Sequence, residues 1–165
     1  MLFAVLTSSM LLSIGLSIFN LTLKELELSS SGRESQAAFY ASDSGVECAL
    51  YWDIIEDVFA TSSQSSSFVA GSASCAGQAF VVSEVKFGNF ATSTFSFAPT
   101  NTSPIPDNGT CTLVTVSKRL DSGTGLIKTE IQSRGYNVGY LASGGANKCS
   151  GTDTLKVERA LKVNY

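Results

Sequence analysis

Residues 1–23 read MLFAVLTSSMLLSIGLSIFNLTL, an apolar segment without a charged side chain that is followed by Lys24. About 20 apolar residues span a bilayer as an α-helix, so this segment is long enough to cross a membrane. No basic residue precedes it and no A-x-A-like site follows it, which argues against a cleaved signal peptide. A helix buried in a water-soluble domain would keep a polar face. The sequence therefore predicts a membrane helix over residues 1–24.

Small residues line one face of this predicted helix. Ser9, Ser13 and Ser17 recur every four residues, Asn20 continues the stripe, and Gly15 lies close by in the sequence. Small side chains let helix backbones approach closely in membranes, which favours contact with a second helix. In the alternative interpretation, the serines of a single anchor donate hydrogen bonds to carbonyls of their own helix. The stripe alone fits both interpretations.

The helical pattern continues past the membrane segment, since no proline occurs in residues 24–59 and SSSG at 29–32 is the only weak point. An unbroken helix over residues 1–59 would be roughly 90 Å long at 1.5 Å per residue. Its second half carries Asp43, Glu47 and Asp57 on one face. Small and apolar residues recur at steps of three and four on the other face, which predicts packing on a sheet. That stripe consists of Ala38, Ala41, Gly45, Cys48, Ala49, Trp52, Ile55 and Phe59.

Beyond the Ser-rich segment 61–67, the hydrophobic period changes to two. The sequence predicts strands over 79–87, 90–97, 112–120, 126–136 and 154–165. In the last of these, apolar residues occupy one face while Lys156, Glu158 and Lys162 occupy the other, as in an antiparallel sheet covered on one side. The expected partners of the helix are Leu155, Val157, Leu161, Val163, Ile127 and Ile131.

These patterns together predict an α+β fold, with a long N-terminal helix on an antiparallel sheet of about four or five strands. The expected organisation is an apolar half-helix over 1–24, an amphipathic half-helix over 25–60 and a globular β head over 61–165.

The four cysteines are Cys48, Cys75, Cys111 and Cys149, and no two of them form a C-x-x-C pair. This spacing disfavours a zinc ribbon or a thioredoxin-like site. An even number of separated cysteines after an apolar segment indicates two disulfides in an oxidising compartment. Three pairings are possible, and sequence order suggests Cys48–Cys75 and Cys111–Cys149. Four buried free thiols are the alternative.

Composition and motifs point away from catalysis and from nucleic acid. The chain has no histidine, and its net charge is −3 without a basic cluster. Phosphate-binding loops and nucleophile motifs are missing from the sequence. We expect two groups of carboxylates, Glu25 with Glu27 and Asp53 with Glu56 and Asp57, to lie on solvated helix surfaces. The sequence therefore predicts no enzyme, no catalytic residue, no metal ligand, no cofactor and no nucleic-acid partner.

The N-terminal region resembles the type IV pilins, in which an uncharged half-helix runs directly into an amphipathic half packed on an antiparallel sheet. Residues 32–51, GRESQAAFYASDSGVECALY, are similar to the pattern A-F-x-A-A-E-A-G-x-E-x-A of PilX-type minor pilins. The rest of the chain resembles this family by architecture alone. The matching residues are Ala38, Phe39, Ala41, Asp43, Gly45, Glu47 and Ala49.

The resemblance implies a pilin or minor pilin of an extracellular, type IV pilus-like filament, embedded in the membrane before assembly. Its partners would be copies of itself or other pilins, the inner-membrane assembly machinery and a prepilin peptidase. Filaments of this class serve adhesion, motility, DNA uptake and secretion. The expected filament-core contacts are Met1, Val5, Ser9, Ser13, Gly15, Ser17 and Asn20.

Two departures from the family pattern bear on this interpretation. No basic leader is seen before Met1, so the chain is expected to be a mature form or to start further upstream. Most pilins carry a Glu at the fifth mature position, where this chain has Val5, and this difference favours a minor subunit. The alternative function is a membrane-anchored extracytoplasmic binding or adhesion module that does not polymerise.

Overall fold

The computed structural model of the chain describes residues 2–62, 73–99, 109–141, 149–150 and 156–165. It begins with one long helix, α1, from Leu2 to Ile54. The strands within the described residues are β1 Ser74–Cys75, β2 Gln78–Ala79, β3 Ser83–Phe87, β4 Phe90–Phe97, β5 Cys111–Leu120, β6 Ile127–Tyr136, β7 Tyr140–Leu141, β8 Cys149–Ser150 and β9 Glu158–Asn164. The predicted α+β fold is confirmed.

The chain divides into two compact units, Met1–Glu34 and Ser35–Tyr165. Helix α1 contributes to both units, and it continues through the SSSG segment at 29–32 without a break. A single glycine inside a helix costs only about 1 kcal/mol relative to alanine, so Gly32 does not end it. We refer to Ser35–Tyr165 as the sheet unit.

The helix ends at Ile54 rather than at Phe59, so the prediction of an amphipathic half-helix reaching residue 60 is wrong at its C-terminal end. Asp57 adopts a left-handed conformation with φ of 45°. Aspartate tolerates this region because its short polar side chain can bond locally. The Val58 N–H donates to the Trp52 carbonyl across 3.1 Å, which closes the end of the helix.

Five antiparallel strands form the main sheet, in the order β3-β4-β5-β6-β9. The predicted strands at 90–97, 112–120 and 126–136 correspond to β4, β5 and β6 within one residue at each end. The predicted strand at 79–87 is divided, because Ala79 pairs with Ser74 in the β1–β2 hairpin while Ser83 pairs with Thr94 of β4. Of the predicted strand at 154–165, residues 158–164 form β9, and residues 154–155 lie outside the described residues.

An aromatic cluster fills the core between α1 and the sheet. Phe80, Phe95 and Phe97 are fully buried, and the ring centroids of Phe80 and Phe95 lie 4.3 Å apart. Phe59 stacks on Phe95 at 5.6 Å, and Ala49 of α1 belongs to the same cluster. Such ring pairs contribute about 0.5–1.5 kcal/mol beyond the burial of their area.

Helix α1 lies close to β5 and β6 at two glycines. A Cβ atom on Gly45 would lie closer than 3.0 Å to side-chain atoms of Ser133 and Thr112. A Cβ atom on Gly135 would lie equally close to the helix backbone at Ala38 and Ser42. Glycine at both positions therefore permits the helix and the sheet to make contact here.

A buried hydrogen bond fixes the same contact. The Thr112 hydroxyl of β5 donates to the Ala41 carbonyl of α1 across 2.6 Å. This bond links the helix backbone to the sheet where the residues on both sides are small. An additional hydrogen bond joins the Arg159 Nε of β9 to the Ser35 hydroxyl at 2.9 Å.

The predicted packing stripe agrees with the structure from Ala38 to Trp52. Ala38, Ala41, Gly45 and Ala49 are buried, whereas Cys48 and Trp52 are half-buried. Ile55 is 66% exposed because α1 has already ended, so its assignment to the stripe is wrong. Phe59 is buried as expected, but it lies outside the helix.

The predicted sheet partners agree with the structure in part. Ile131 is fully buried, but Ile127 is 47% exposed, and its assignment as a partner is wrong because it begins β6 at the edge of the covered area. On β9, Leu161 and Val163 are half-buried, as is Val157 just before it. Leu155 lies outside the described residues.

The sheet unit contains two disulfides, Cys48–Cys75 and Cys111–Cys149, and none of the four cysteines is free. The Cα atoms are 6.0 Å apart in the first and 5.7 Å apart in the second. These are the pairings that sequence order suggested. Native disulfides typically stabilise a domain by about 2–4 kcal/mol.

Candidate functional site

The first half of α1 exposes its whole circumference. Every residue from Phe3 to Arg33 is exposed, including large apolar side chains such as Phe3, which is 83% exposed. The helix is long and apolar enough to cross a membrane, with a mean hydropathy of 1.7 in its most apolar window. Soluble monomers rarely expose contiguous apolar surface of this extent. The exposed surface of this segment therefore suits an apolar environment such as lipid or other apolar helices.

Five hydroxyl groups of this segment donate hydrogen bonds to carbonyls of the same helix. Ser9 donates to the Leu6 carbonyl at 2.9 Å, and Ser17 donates to the Ser13 carbonyl at 3.0 Å. The hydroxyls of Thr7, Ser8 and Thr22 bond to their own helix in the same way. These are the hydrogen bonds expected of serines in a single anchor. These five hydroxyls need no further polar partner, and the small size of the serine side chains still leaves room for a neighbouring helix.

Helical geometry separates Gly15 from the serine stripe. At 3.6 residues per turn, Ser9, Ser13, Ser17 and Asn20 lie within about 80° of one another around the axis. Gly15 lies about 200° from Ser13, on the other side of the helix. A Cβ atom on Gly15 would meet nothing within 4 Å. The seam on one side of the helix therefore consists of Val5, Ser9, Ser13, Ser17 and Asn20 and does not include Gly15. Met1 lies outside the described residues.

The end of α1 holds a buried ionic cluster in the sheet unit. Asp53 Oδ1 lies 2.6 Å from Lys118 Nζ of β5, and Asp53 Oδ2 accepts a hydrogen bond from the Tyr165 hydroxyl at 2.5 Å. Asp57 is a more distant partner of Lys118 at 3.6 Å. The expectation that Asp53 lies on a solvated surface is wrong, whereas Glu56 and Asp57 are exposed as expected.

Strand alternation explains why the Asp53–Lys118 pair is buried. Ser117 and Lys118 point to opposite faces of β5, and Lys118 occupies the same inward face as Val114 and Val116. A buried ammonium needs an anionic partner, and Asp53 in the last turn of α1 supplies it. A lysine at a core position of a strand is the signal by which the sequence could have indicated this pair.

Tyr165 completes the cluster as a neutral donor. Its backbone pairs with Thr129 through two hydrogen bonds, at 2.9 and 3.0 Å, which continues the β6–β9 ladder. Burial, followed by the hydrogen bond and the charge of Asp53, raises the pKa of the Tyr165 hydroxyl well above its usual value of 10.0. The phenol therefore stays protonated and donates to the carboxylate. The cluster clamps the end of the helix to the centre of the sheet.

Comparison with protein-family models, with curated proteins and with solved structures found no match. The residues that the structure describes contain no group of three or more His, Cys, Asp or Glu side chains arranged to hold a metal ion. The fold and the exposed segment define a disulfide-bonded α+β protein whose helix is long and apolar enough to cross a membrane.

Proposed function

We propose that the chain is a structural subunit, a pilin or minor pilin, of an extracellular type IV pilus-like filament. The observation that carries this proposal is the exposed apolar half of α1, which continues without interruption into the half that packs on the sheet. A helix of this kind can reside in the membrane and then associate with equivalent helices in a filament core. The motif at residues 32–51 supports the same assignment by resemblance.

Physical considerations support assembly through the helix. A subunit that leaves lipid for a filament core exchanges one apolar environment for another, so hydrophobic burial changes little. Close packing along the seam of Val5, Ser9, Ser13, Ser17 and Asn20 would then supply cohesion through dispersion contacts. The two disulfides suit an extracytoplasmic location.

The partners follow from this assignment. They are copies of the chain or other pilins in the filament and, by resemblance, the inner-membrane assembly machinery and a prepilin peptidase.

The alternative is a single-pass, membrane-anchored binding or adhesion module that does not polymerise. The hydrogen bonds of Ser9 and Ser17 to their own helix favour this candidate, because they satisfy these two hydroxyls in lipid. Both candidates place the apolar half of α1 in a membrane, and they differ in whether it later contacts other helices.

Quantitative mass spectrometry of filaments sheared from cells separates the two candidates. We expect the chain in the filament fraction, in a dominant amount for a main subunit or in a small amount for a minor pilin. Its complete retention in the membrane fraction would overturn the filament assignment and leave the anchored module.

A pair of matched variants tests the seam. Ser13→Leu adds bulk within the seam, whereas Thr7→Leu places the same leucine side chain on the far side of the helix. We expect Ser13→Leu to reduce incorporation into filaments and Thr7→Leu to leave it near the wild-type level, with equal amounts of both variants in the membrane. Unimpaired incorporation of Ser13→Leu would refute the seam as an assembly contact.

A further inference from the structure

The sheet has a second face, turned away from α1, whose side chains follow from the strand register. Lys118 points toward α1, so its neighbours Ser117 and Arg119 point the other way. Arg119 lies between Phe90 of β4 and Lys128 of β6 in one cross-strand row. The adjacent row contains Ser117, Glu130 of β6 and Asn164 of β9.

A concave surface lies over these two rows. It has a volume of about 600 Å³, and an adjoining hollow of about 290 Å³ is lined by Asp121 and Asn89. Arg119 and Lys128 line both cavities. The larger cavity falls within the size range of small-ligand sites, about 300–1,000 Å³.

The charges in this surface are incompletely compensated. Arg119 and Lys128 stand directly opposite each other, and like charges in that position destabilise a sheet. Lys128 is paired with Asp121 at 2.9 Å, and Glu130 is paired with Lys162 at 2.8 Å. The guanidinium of Arg119 forms no ion pair and no hydrogen bond with any part of the chain that the structure describes. An anion at Arg119 would supply the missing countercharge.

The remaining lining defines the chemistry of the ligand. A guanidinium binds carboxylate or sulfate groups through two parallel hydrogen bonds. The Ser117 hydroxyl and the Asn164 amide can both donate and accept hydrogen bonds, as a hydroxyl-rich ligand requires. Phe90, which is 40% exposed, offers an apolar surface for a ring face. We propose that this face of the sheet binds an acidic saccharide, with its anionic group on Arg119.

Binding can be measured on the unassembled full-length chain in detergent micelles. The probes are polygalacturonate fragments, which carry carboxylates, chondroitin sulfate, which also carries sulfates, and neutral dextran of similar length. We expect binding to at least one of the anionic probes, weakening as salt is added, and none to dextran. Because this assay needs no filament, its outcome is independent of the proposed pilin function.

Variants on the same face locate the site. We expect Arg119→Ala to weaken binding about tenfold or more and Arg119→Lys to recover only part of the loss, because lysine lacks the planar fork. Arg134→Ala is the matched control, since Arg134 lies six residues beyond Lys128 on β6 and is already paired with Glu158 at 3.8 Å. Equal binding by wild type and Arg119→Ala, equal losses in both alanine variants, or binding to dextran as tight as to the anionic probes would overturn the proposal.

Discussion

Lys118 Nζ lies 2.6 Å from Asp53 Oδ1, and the two side chains are 7% and 4% exposed, respectively. This pair joins the last turn of α1 to the central strand of the five-stranded sheet. Each charge is costly to bury alone, so each residue depends on the other. Loss of this long-range contact should therefore destabilise the whole sheet unit.

Removing either partner should destabilise the sheet unit strongly. We expect Lys118→Met and Asp53→Leu each to lower the free energy of unfolding by about 3–5 kcal/mol, because each leaves a buried charge without its main partner. The double variant should lose much less than the sum of the two. Denaturant unfolding followed by fluorescence of Trp52, the only tryptophan in the chain, measures these changes.

Lys162→Met provides the control for this comparison. It removes the exposed pair with Glu130, which should cost at most about 1 kcal/mol. Strictly additive losses in the double variant at positions 53 and 118 would show that the two side chains do not depend on each other.

Alanine at Gly45 or Gly135 should separate the helix from the sheet. We expect each substitution to cost about 1–3 kcal/mol, with the larger loss at Gly135. The added methyl group at Gly135 would meet helix backbone, which cannot rotate away, whereas at Gly45 it would meet side chains. The same Trp52 unfolding assay reports both changes.

Gly32→Ala is the matched substitution in an open position, where a Cβ atom would meet nothing within 4 Å. It should not destabilise the sheet unit, and it should favour the helix by about 1 kcal/mol. Equal stability of Gly135→Ala and Gly32→Ala would contradict the close contact between α1 and β6.

The Tyr165 hydroxyl should lose its proton at a higher pH than that of an ordinary tyrosine. Burial and the neighbouring Asp53 carboxylate raise its folded pKa above the unfolded value of 10.0. Its contribution to stability is therefore complete below pH 10 and is lost as the pH rises toward the folded pKa. Ultraviolet absorbance of tyrosinate, compared between wild type and Tyr165→Phe, isolates this late step.

Tyr165→Phe should also lower stability by about 1 kcal/mol at neutral pH, because Asp53 loses a hydrogen bond. Tyr136, whose pKa is raised by burial and by Glu158, remains in both proteins and serves as an internal reference. Identical titration curves for the two proteins, apart from the amplitude of one ordinary tyrosine, would contradict the prediction.

The β1–β2 hairpin contains a strained alanine. Ala76 has φ of 51° and Gly77 has φ of 77°, the signs that a two-residue type I′ turn requires. A left-handed conformation costs an alanine about 1–2 kcal/mol, whereas asparagine adopts it more readily. We expect Ala76→Asn to raise the free energy of unfolding by about 0.5–1 kcal/mol. Ala79→Asn, in the adjoining strand, should be neutral or destabilising, and a gain there equal to that at Ala76 would refute the explanation.

Local periodicity was sufficient to predict most elements of the fold. The apolar run and the three-and-four spacing of Ala38, Ala41, Gly45 and Ala49 predict α1 because each pattern lies within a few helical turns. Alternation along β4, β5 and β6 predicts the strands for the same reason. The assignment of the apolar half to a filament core remains a prediction.

Features that depend on distant partners could not be predicted in this way. Asp53 has the sequence context of a solvated carboxylate, and only the fold places it beside Lys118. Ile55 continues the helical pattern, but the left-handed Asp57 ends the helix before it. Arg119 acquires its surroundings only when the register brings Phe90 and Lys128 to either side of it.

The Cys48–Cys75 disulfide has a mechanical consequence for a subunit held by its N-terminal helix. Tension transmitted along α1 would pass at Cys48 through the sulfur bridge to Cys75 instead of following the backbone between them. The last turn of α1 would then carry little of the load. A pulling experiment on the oxidised chain should show a shorter contour length on unfolding than one on an oxidised Cys48→Ser/Cys75→Ser variant, which keeps the Cys111–Cys149 bridge.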